Sequence, residues 1–238
     1  MGNEAIALGA ARAGVSVVSG YPGTPSTEII ETLIREKIPG IEVQWSTNEK
    51  TALEVAAGAA YSGIRSMVTM KQVGLNVAAD PLMSLSYVGV EGGMVVVVAD
   101  DPGPWSSQTE QDTRHFAKYA NLPVFDPSSP EEAYEMVSYA FGLSEEFRLP
   151  VFLRPTTRVC HASATVDLAD VPAPKPASGF VKRSDWIIFP ALSYRKHGEL
   201  EQKQKLISEK VGTLPFNRVI KGGRIGIAVS GISYLYLM

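Results

Sequence analysis

Along residues 2–166 the apolar positions change rhythm repeatedly, from short continuous runs to helical spacing and back. The runs Val15–Ser19, Glu42–Ser46, Ser66–Thr69, Met94–Ala99, Pro123–Asp126 and Val151–Arg154 are mostly apolar on both faces rather than alternating. That pattern predicts strands of a parallel sheet covered by helices on each side. Between them, helical patterns fall at Asn3–Ala13, Ser26–Glu36, Glu49–Ser62, Asp112–Asn121 and Pro130–Glu146. The last has a clear start. Ser128 or Ser129 can cap it, Pro130 fits the first turn, and Glu131 and Glu132 suit the positive end of the helix dipole. Repeated βα units with short turns predict an α/β fold built on a doubly wound parallel sheet.

After Val166 the rhythm stops. Residues 171–179 read as an extended, proline-rich linker, and a polar helix is expected over Gly198–Lys210, dense in Glu, Gln and Lys. A glycine turn at Gly222-Gly223 then feeds Arg224–Gly231, a strand of the buried type with no sheet of its own to join. The expected organisation is therefore an α/β domain over 1–166, a linker with a polar helix over 167–222, and the first strand of an incomplete second α/β domain over 223–238. The chain reads as part of a longer polypeptide.

Composition narrows the function. A net charge of −3 without a basic run leaves no electrostatic footprint for nucleic acid. The most apolar run, Met94–Ala99, is far below the ~20 residues that span a bilayer, so no membrane role is expected and a soluble cytoplasmic chain is the default. The single cysteine, Cys160, excludes an intrachain disulfide and a self-contained iron–sulfur cluster. His115, His161 and His197 lack metal-ligand spacing, and neither a G-x-G-x-x-G turn nor a P-loop is present.

Chemistry must then come from polar segments that follow predicted strands. Gly20-Tyr21-Pro22-Gly23-Thr24-Pro25-Ser26 fixes a tight turn presenting the hydroxyls of Thr24 and Ser26, the latter also a possible helix cap. Trp45-Ser46-Thr47-Asn48-Glu49-Lys50 opens an alanine-rich helix with Glu49 in its first turn, where the dipole alone would favour a carboxylate. Thr69–Asn76 offers Lys71, Gln72 and Asn76, and Asp100–Asp112 is a long polar loop. Each has a bland reading as a turn or a solvated loop. All follow carboxyl ends of strands in one parallel sheet, however, and such sheets bind ligands there.

The blocks GNEAIALGA, GYPGTPSTEIIETL, STNEKTALEVAAGAAYSG, TMKQVGLNVAADPLMSL and VVADDPGPWSSQTEQDTR together resemble the 2-oxoacid:ferredoxin oxidoreductases, within them the α subunits directed at indolepyruvate. The resemblance covers most of residues 2–166 and implies the pyrimidine-binding module of a thiamine diphosphate fold. It makes Glu49, followed by Gly58 and Gly63, the cofactor-activating glutamate, bonded to N1′ of the aminopyrimidine; Glu54 is a competing carboxylate facing another way. It gives Thr24 a catalytic and substrate-contacting role, Tyr21, Gln72 and Asn76 a place beside the cofactor, and Arg114 a substrate carboxylate to pair with.

The same resemblance implies oxidative decarboxylation of indolepyruvate or other aryl 2-oxoacids to acyl-coenzyme A, with electrons passing to ferredoxin. Pyruvate or 2-oxoglutarate enzymes and a non-catalytic assembly module are the alternatives. A β subunit and further α copies are implied as partners, as are Mg²⁺ and [4Fe-4S] clusters. The Gly-Asp-x…Asn segment that holds the diphosphate and its metal in the family is not found here, nor are the cluster cysteines, so this chain is expected to supply half a thiamine site.

Overall fold

The computed structural model describes residues 1–173 and 175–238. Pro174, within the expected proline-rich linker, lies outside the described residues. The elements run α1 (Gly2–Arg12), β1 (Val17–Gly20), α2 (Thr27–Glu36), β2 (Glu42–Trp45), α3 (Glu49–Tyr61), β3 (Ser66–Lys71), α4 (Gln72–Val88), β4 (Met94–Ala99), α5 (Thr113–Tyr119), β5 (Val124–Phe125), α6 (Pro130–Phe147), β6 (Val151–Leu153), α7 (Thr157–His161), α8 (Pro190–Gly212) and α9 (Ser233–Leu237). The strands form one six-stranded sheet in the order β2-β1-β3-β4-β6-β5, every neighbouring pair parallel.

The continuous apolar runs are explained by burial on both faces. In β4, Val95 and Val97 enter a core shared with α1, α2 and α6, while Met94, Val96 and Val98 enter a second core with α3, α4 and α5. Ile6, Ile29, Ile30, Val137 and Phe141 fill the first core; Leu53, Leu75, Leu82 and Ala117 fill the second. Fully burying one of these valine, leucine, isoleucine or phenylalanine side chains stabilises the fold by roughly 1.5–3 kcal/mol.

Local signals behave unevenly. Ser129 caps α6 as expected, its hydroxyl accepting from the Glu132 N–H at 3.2 Å, and Pro130 occupies the first turn. Ser26 does not cap α2: its hydroxyl donates instead to the Gly23 carbonyl at 3.0 Å, closing the preceding turn on itself. Helix α4 starts directly from β3 with no side-chain cap and runs through Pro81, so the polar segment expected to be a loop at Gln72–Asn76 is its first turn and a half.

The two later segments depart further from expectation. The polar helix is 23 residues long and packs on the domain: Leu200 and Ile207, a helical repeat apart, are buried in the second core. Its Lys203 Nζ donates to the Phe147 carbonyl at 2.8 Å and its Gln204 Nε2 to the Asn121 carbonyl at 2.7 Å. Phe147 is the last residue of α6 and Asn121 lies just past α5, where the backbone carbonyls lack intrahelical donors. So α8 is a fold element inside the expected linker. Arg224–Gly231 is not a strand: residues 224–230 run exposed, because among the described residues no neighbouring strand offers their backbone a ladder.

Leu200→Ala tests the docking of α8. Denaturant unfolding of the variant is expected to lose about 2–5 kcal/mol, the cost of truncating a buried leucine; a tethered but undocked helix would lose less than ~0.5 kcal/mol.

Candidate functional site

In the strand order, β2 and β3 lie on opposite sides of β1, so the chain reverses direction at the β1–β3 boundary. A doubly wound sheet opens a crevice beyond the carboxyl ends of its strands at such a point. Gly20 and Thr69 are paired there, and the strands touch so closely that a Cβ on Gly20 would stand 2.5 Å from Thr69 Oγ1. The turn after β1 is anchored from behind by buried Asn3, whose Nδ2 donates to the Pro25 carbonyl at 2.6 Å and to Glu28 at 2.7 Å. The Thr24–Pro25 peptide is cis.

The first turn of α4 gathers the loops. Lys71 Nζ donates to the Ser106 carbonyl at 3.4 Å, and Gln72 Nε2 to the Thr109 carbonyl at 3.1 Å. Ser106 Oγ donates to the Thr24 carbonyl at 3.5 Å, while Gly23 leaves room for the Lys71 stem. The segments after β1, β3 and β4 are therefore in mutual contact. Buried Gln72 Oε1 has no partner among the described residues, and neither has buried Ser46 Oγ at the end of β2.

Glu49 enters the same place from α3. Asn48 caps that helix, its side-chain oxygen accepting from the Thr51 N–H at 2.9 Å, and this fixes Glu49 as the first helical residue. Glu49 is 8% exposed, whereas Glu54 is exposed. Neighbouring Lys50 pairs with Asp80 at 3.1 Å and not with Glu49. The carboxylate lies over Gly74, two residues beyond Gln72: a Cβ at Gly74 would come within 2.4 Å of Glu49 Oε1. Two helix N-termini, those of α3 and α4, thus flank one carboxylate and favour its negative charge.

The other candidates are placed less centrally. Tyr21 is 40% exposed on the β1 turn, and the Thr24 side chain is exposed beside it. Asn76 lies exposed on α4. Arg114 has partners of its own: Asp112 at 2.7 and 2.9 Å, Asp126 at 3.4 Å and Ser230 at 2.9 Å. None of these bonds joins it to Thr24, Gln72 or Glu49.

Arg114 belongs instead to an ionic cluster beyond the ends of β4, β5 and β6 that sequence reasoning did not find. Buried Arg154 donates from Nε to Asp100 at 2.7 Å and from Nη1 to Asp126 at 3.3 Å. Asp100, fully buried, also accepts from the Thr113 N–H at 3.0 Å and hydroxyl at 2.8 Å. Burial pushes the Asp100 carboxyl above the usual carboxylate range, although Arg154 and Thr113 oppose it. Asp112 goes the other way, held down at about 2 by the Arg114 hydrogen bond against a smaller effect of burial. Only the charge pattern Asp100, Asp112, Arg114, Asp126, Arg154 hinted at this cluster, and nothing in the spacing pairs its members.

The residues at the switch point fit the pyrimidine half of a thiamine site: an almost buried carboxylate, a glycine cradle beside it and an unsatisfied amide oxygen within one helical turn. Among the described residues no group of three His, Cys, Asp or Glu is placed to hold a metal ion. The opposed carboxyls give a direct check. Carboxyl-resolved NMR titration should show Asp100 protonating before Asp112 as pH falls, with Asp112 titrating near pH 2. Asp112 then contributes stability that is present above its unfolded pKa of about 3.9 and lost as pH falls through its folded value; Asp100 contributes with the opposite sign.

Comparison with known proteins agrees with the geometry. The family model "Pyruvate flavodoxin/ferredoxin oxidoreductase, thiamine diP-bdg" matches residues 8–183. An indolepyruvate oxidoreductase subunit IorA of Thermococcus kodakarensis is 46% identical over the whole of this chain, which spans 38% of that protein. A 2-oxoglutarate synthase subunit KorA of Methanocaldococcus jannaschii is 31% identical, over 71% of this chain and 48% of its own length. A solved 2-oxoglutarate:ferredoxin oxidoreductase from Magnetococcus marinus shares the fold, with a TM-score of 0.69 at 18% identity over 87% of this chain and 44% of that one. With most of its length matched by that model, the chain belongs to the thiamine diphosphate-binding family of the pyruvate flavodoxin/ferredoxin oxidoreductases.

Proposed function

We propose that this chain supplies the aminopyrimidine-binding half of a thiamine diphosphate site in an enzyme that oxidatively decarboxylates indolepyruvate and related aryl 2-oxoacids. Electrons pass to ferredoxin and the acyl group to coenzyme A. The observation that carries the reading is the Glu49 carboxylate, 8% exposed and set over Gly74 at the sheet's switch point. A scaffold needs no carboxylate there, and a largely buried polar group gains from a hydrogen-bond partner. A ring N–H of the cofactor would be that partner.

The residues divide the work by position. Glu49 would accept the N–H of the protonated pyrimidine and hold that proton at the ring nitrogen. Gln72, whose amide oxygen lacks a donor, would accept a second N–H, and Tyr21 would pack beside the ring. Thr24 would meet the substrate at the rim. When bound, thiamine diphosphate supplies the nucleophilic carbon at which a 2-oxoacid loses carbon dioxide. Mg²⁺, the diphosphate contacts and the [4Fe-4S] clusters would come from segments outside this chain, including a β subunit, in a cytoplasmic complex.

The strong likeness to indolepyruvate oxidoreductase subunits supports aryl substrates, and the weaker likeness to a 2-oxoglutarate synthase subunit supports the alternative. A substrate panel on the whole enzyme separates them: indolepyruvate and phenylpyruvate should exceed pyruvate and 2-oxoglutarate in kcat/KM.

Glu49→Gln in the whole enzyme should lower turnover by about 100-fold or more, on the scale of losing a group that acts in proton transfer, while assembly and folding persist. Unchanged turnover would favour an assembly module. Gly74→Ala should leave the fold intact, since the atoms it displaces are the flexible end of Glu49, and should weaken thiamine diphosphate binding measured by calorimetry.

A further inference from the structure

Residues 101–112 form the segment that reaches both other loops at the site, through Ser106 to Thr24 and Lys71 and through Thr109 to Gln72. Its residues 102–106 are exposed, and it contains no helix or strand to hold its shape. At its far end the grip is Asp100 on Thr113. Its near end is gripped by a second carboxylate, Asp101, which is fully buried. One oxygen of Asp101 accepts from the Trp105 N–H at 3.0 Å and the Ser106 N–H at 2.9 Å. The other accepts from the Thr157 hydroxyl at 2.7 Å, at the start of α7. These bonds curl residues 101–106 into a closed turn and tie that turn to the domain. They also present the Ser106 carbonyl and hydroxyl to Lys71 and Thr24. The exposed ring of Trp105 is held out at the tip.

We infer that Asp101 is a positioning residue for the reaction: through its bonds to Trp105, Ser106 and Thr157 it sets the 101–112 loop against Thr24 and Gln72, and without it the substrate- and cofactor-binding edge loses its shape. The inference rests on the reading of that edge proposed above, but Asp101's hold on the loop is independent of which ligand binds.

The geometry separates two substitutions. Asp101→Ala removes all three bonds. Asp101→Asn keeps them: its carbonyl oxygen can accept from Trp105 and Ser106, and its amide can donate to the Thr157 hydroxyl, which then donates to the Asp100 carbonyl 3.2 Å away. Hydrogen–deuterium exchange of the chain, with KM and kcat for the 2-oxoacid in the whole enzyme, tests this. In Asp101→Ala the amides of residues 103–109 should exchange about 10–100-fold faster, as hydrogen bonds to a charged group are lost. KM and the thiamine diphosphate Kd should rise about tenfold with kcat changed less than threefold, because positioning acts on binding. Asp101→Asn should restore both readouts to within about threefold, as a retained bond geometry requires.

Should Asp101→Ala fail to fold, Thr157→Val removes one partner of the carboxylate and should raise exchange in the same amides by a smaller factor. Unchanged exchange in whichever variant folds overturns the inference, as does a loosened loop with KM and Kd unaltered. A wild-type enzyme indifferent to thiamine diphosphate would overturn the functional proposal instead, leaving the exchange result to judge Asp101 alone.

Discussion

Glycine at position 74 is the constraint around which the rest is arranged, since any side chain there would occupy the place of the Glu49 carboxylate. By leaving that space, it allows the amino ends of α3 and α4 to face one acidic group. Each N-terminus stabilises a nearby anion by about 0.3–1 kcal/mol at exposed sites. Everything else at this edge, from the Asn48 cap to the close β1–β3 contact at Gly20, serves to hold that relation.

How much could be read beforehand follows from the range of each interaction. The strands were legible because β4 and β6 are buried on both faces and so carry uninterrupted apolar runs. The position of Glu49 was legible from its place after a strand and before an alanine-rich helix; the glycine space at position 74 that receives its side chain was not. Helix α4 was hidden because it has no cap and contains Pro81, two features that read locally as a break. Packing of Leu82, Leu85 and Leu75 overrides both.

The docking of α8 and the Arg154 cluster were illegible for a common reason. A helix with Leu200 and Ile207 as its buried residues shows too thin an apolar stripe to distinguish docking from solvation. Likewise, Arg154 meets Asp100 and Asp126 only because β4, β5 and β6 lie side by side. Such pairings are products of strand order. Breaking a buried ion pair by removing one partner typically costs about 3–5 kcal/mol, so the cluster fixes the mutual placement of three strand ends as well as the start of α5.

The cross-brace that α8 makes through Lys203 and Gln204 acts at the amino ends of β5 and β6, the side of the sheet away from Glu49. The braced rim and the loop-bearing rim are thereby opposite ends of one sheet. A lineage can exchange turns around Thr24 or Trp105 while the braced rim keeps the layered sheet intact. The loops of the opposite rim are free to drift in sequence faster than the fold that carries them.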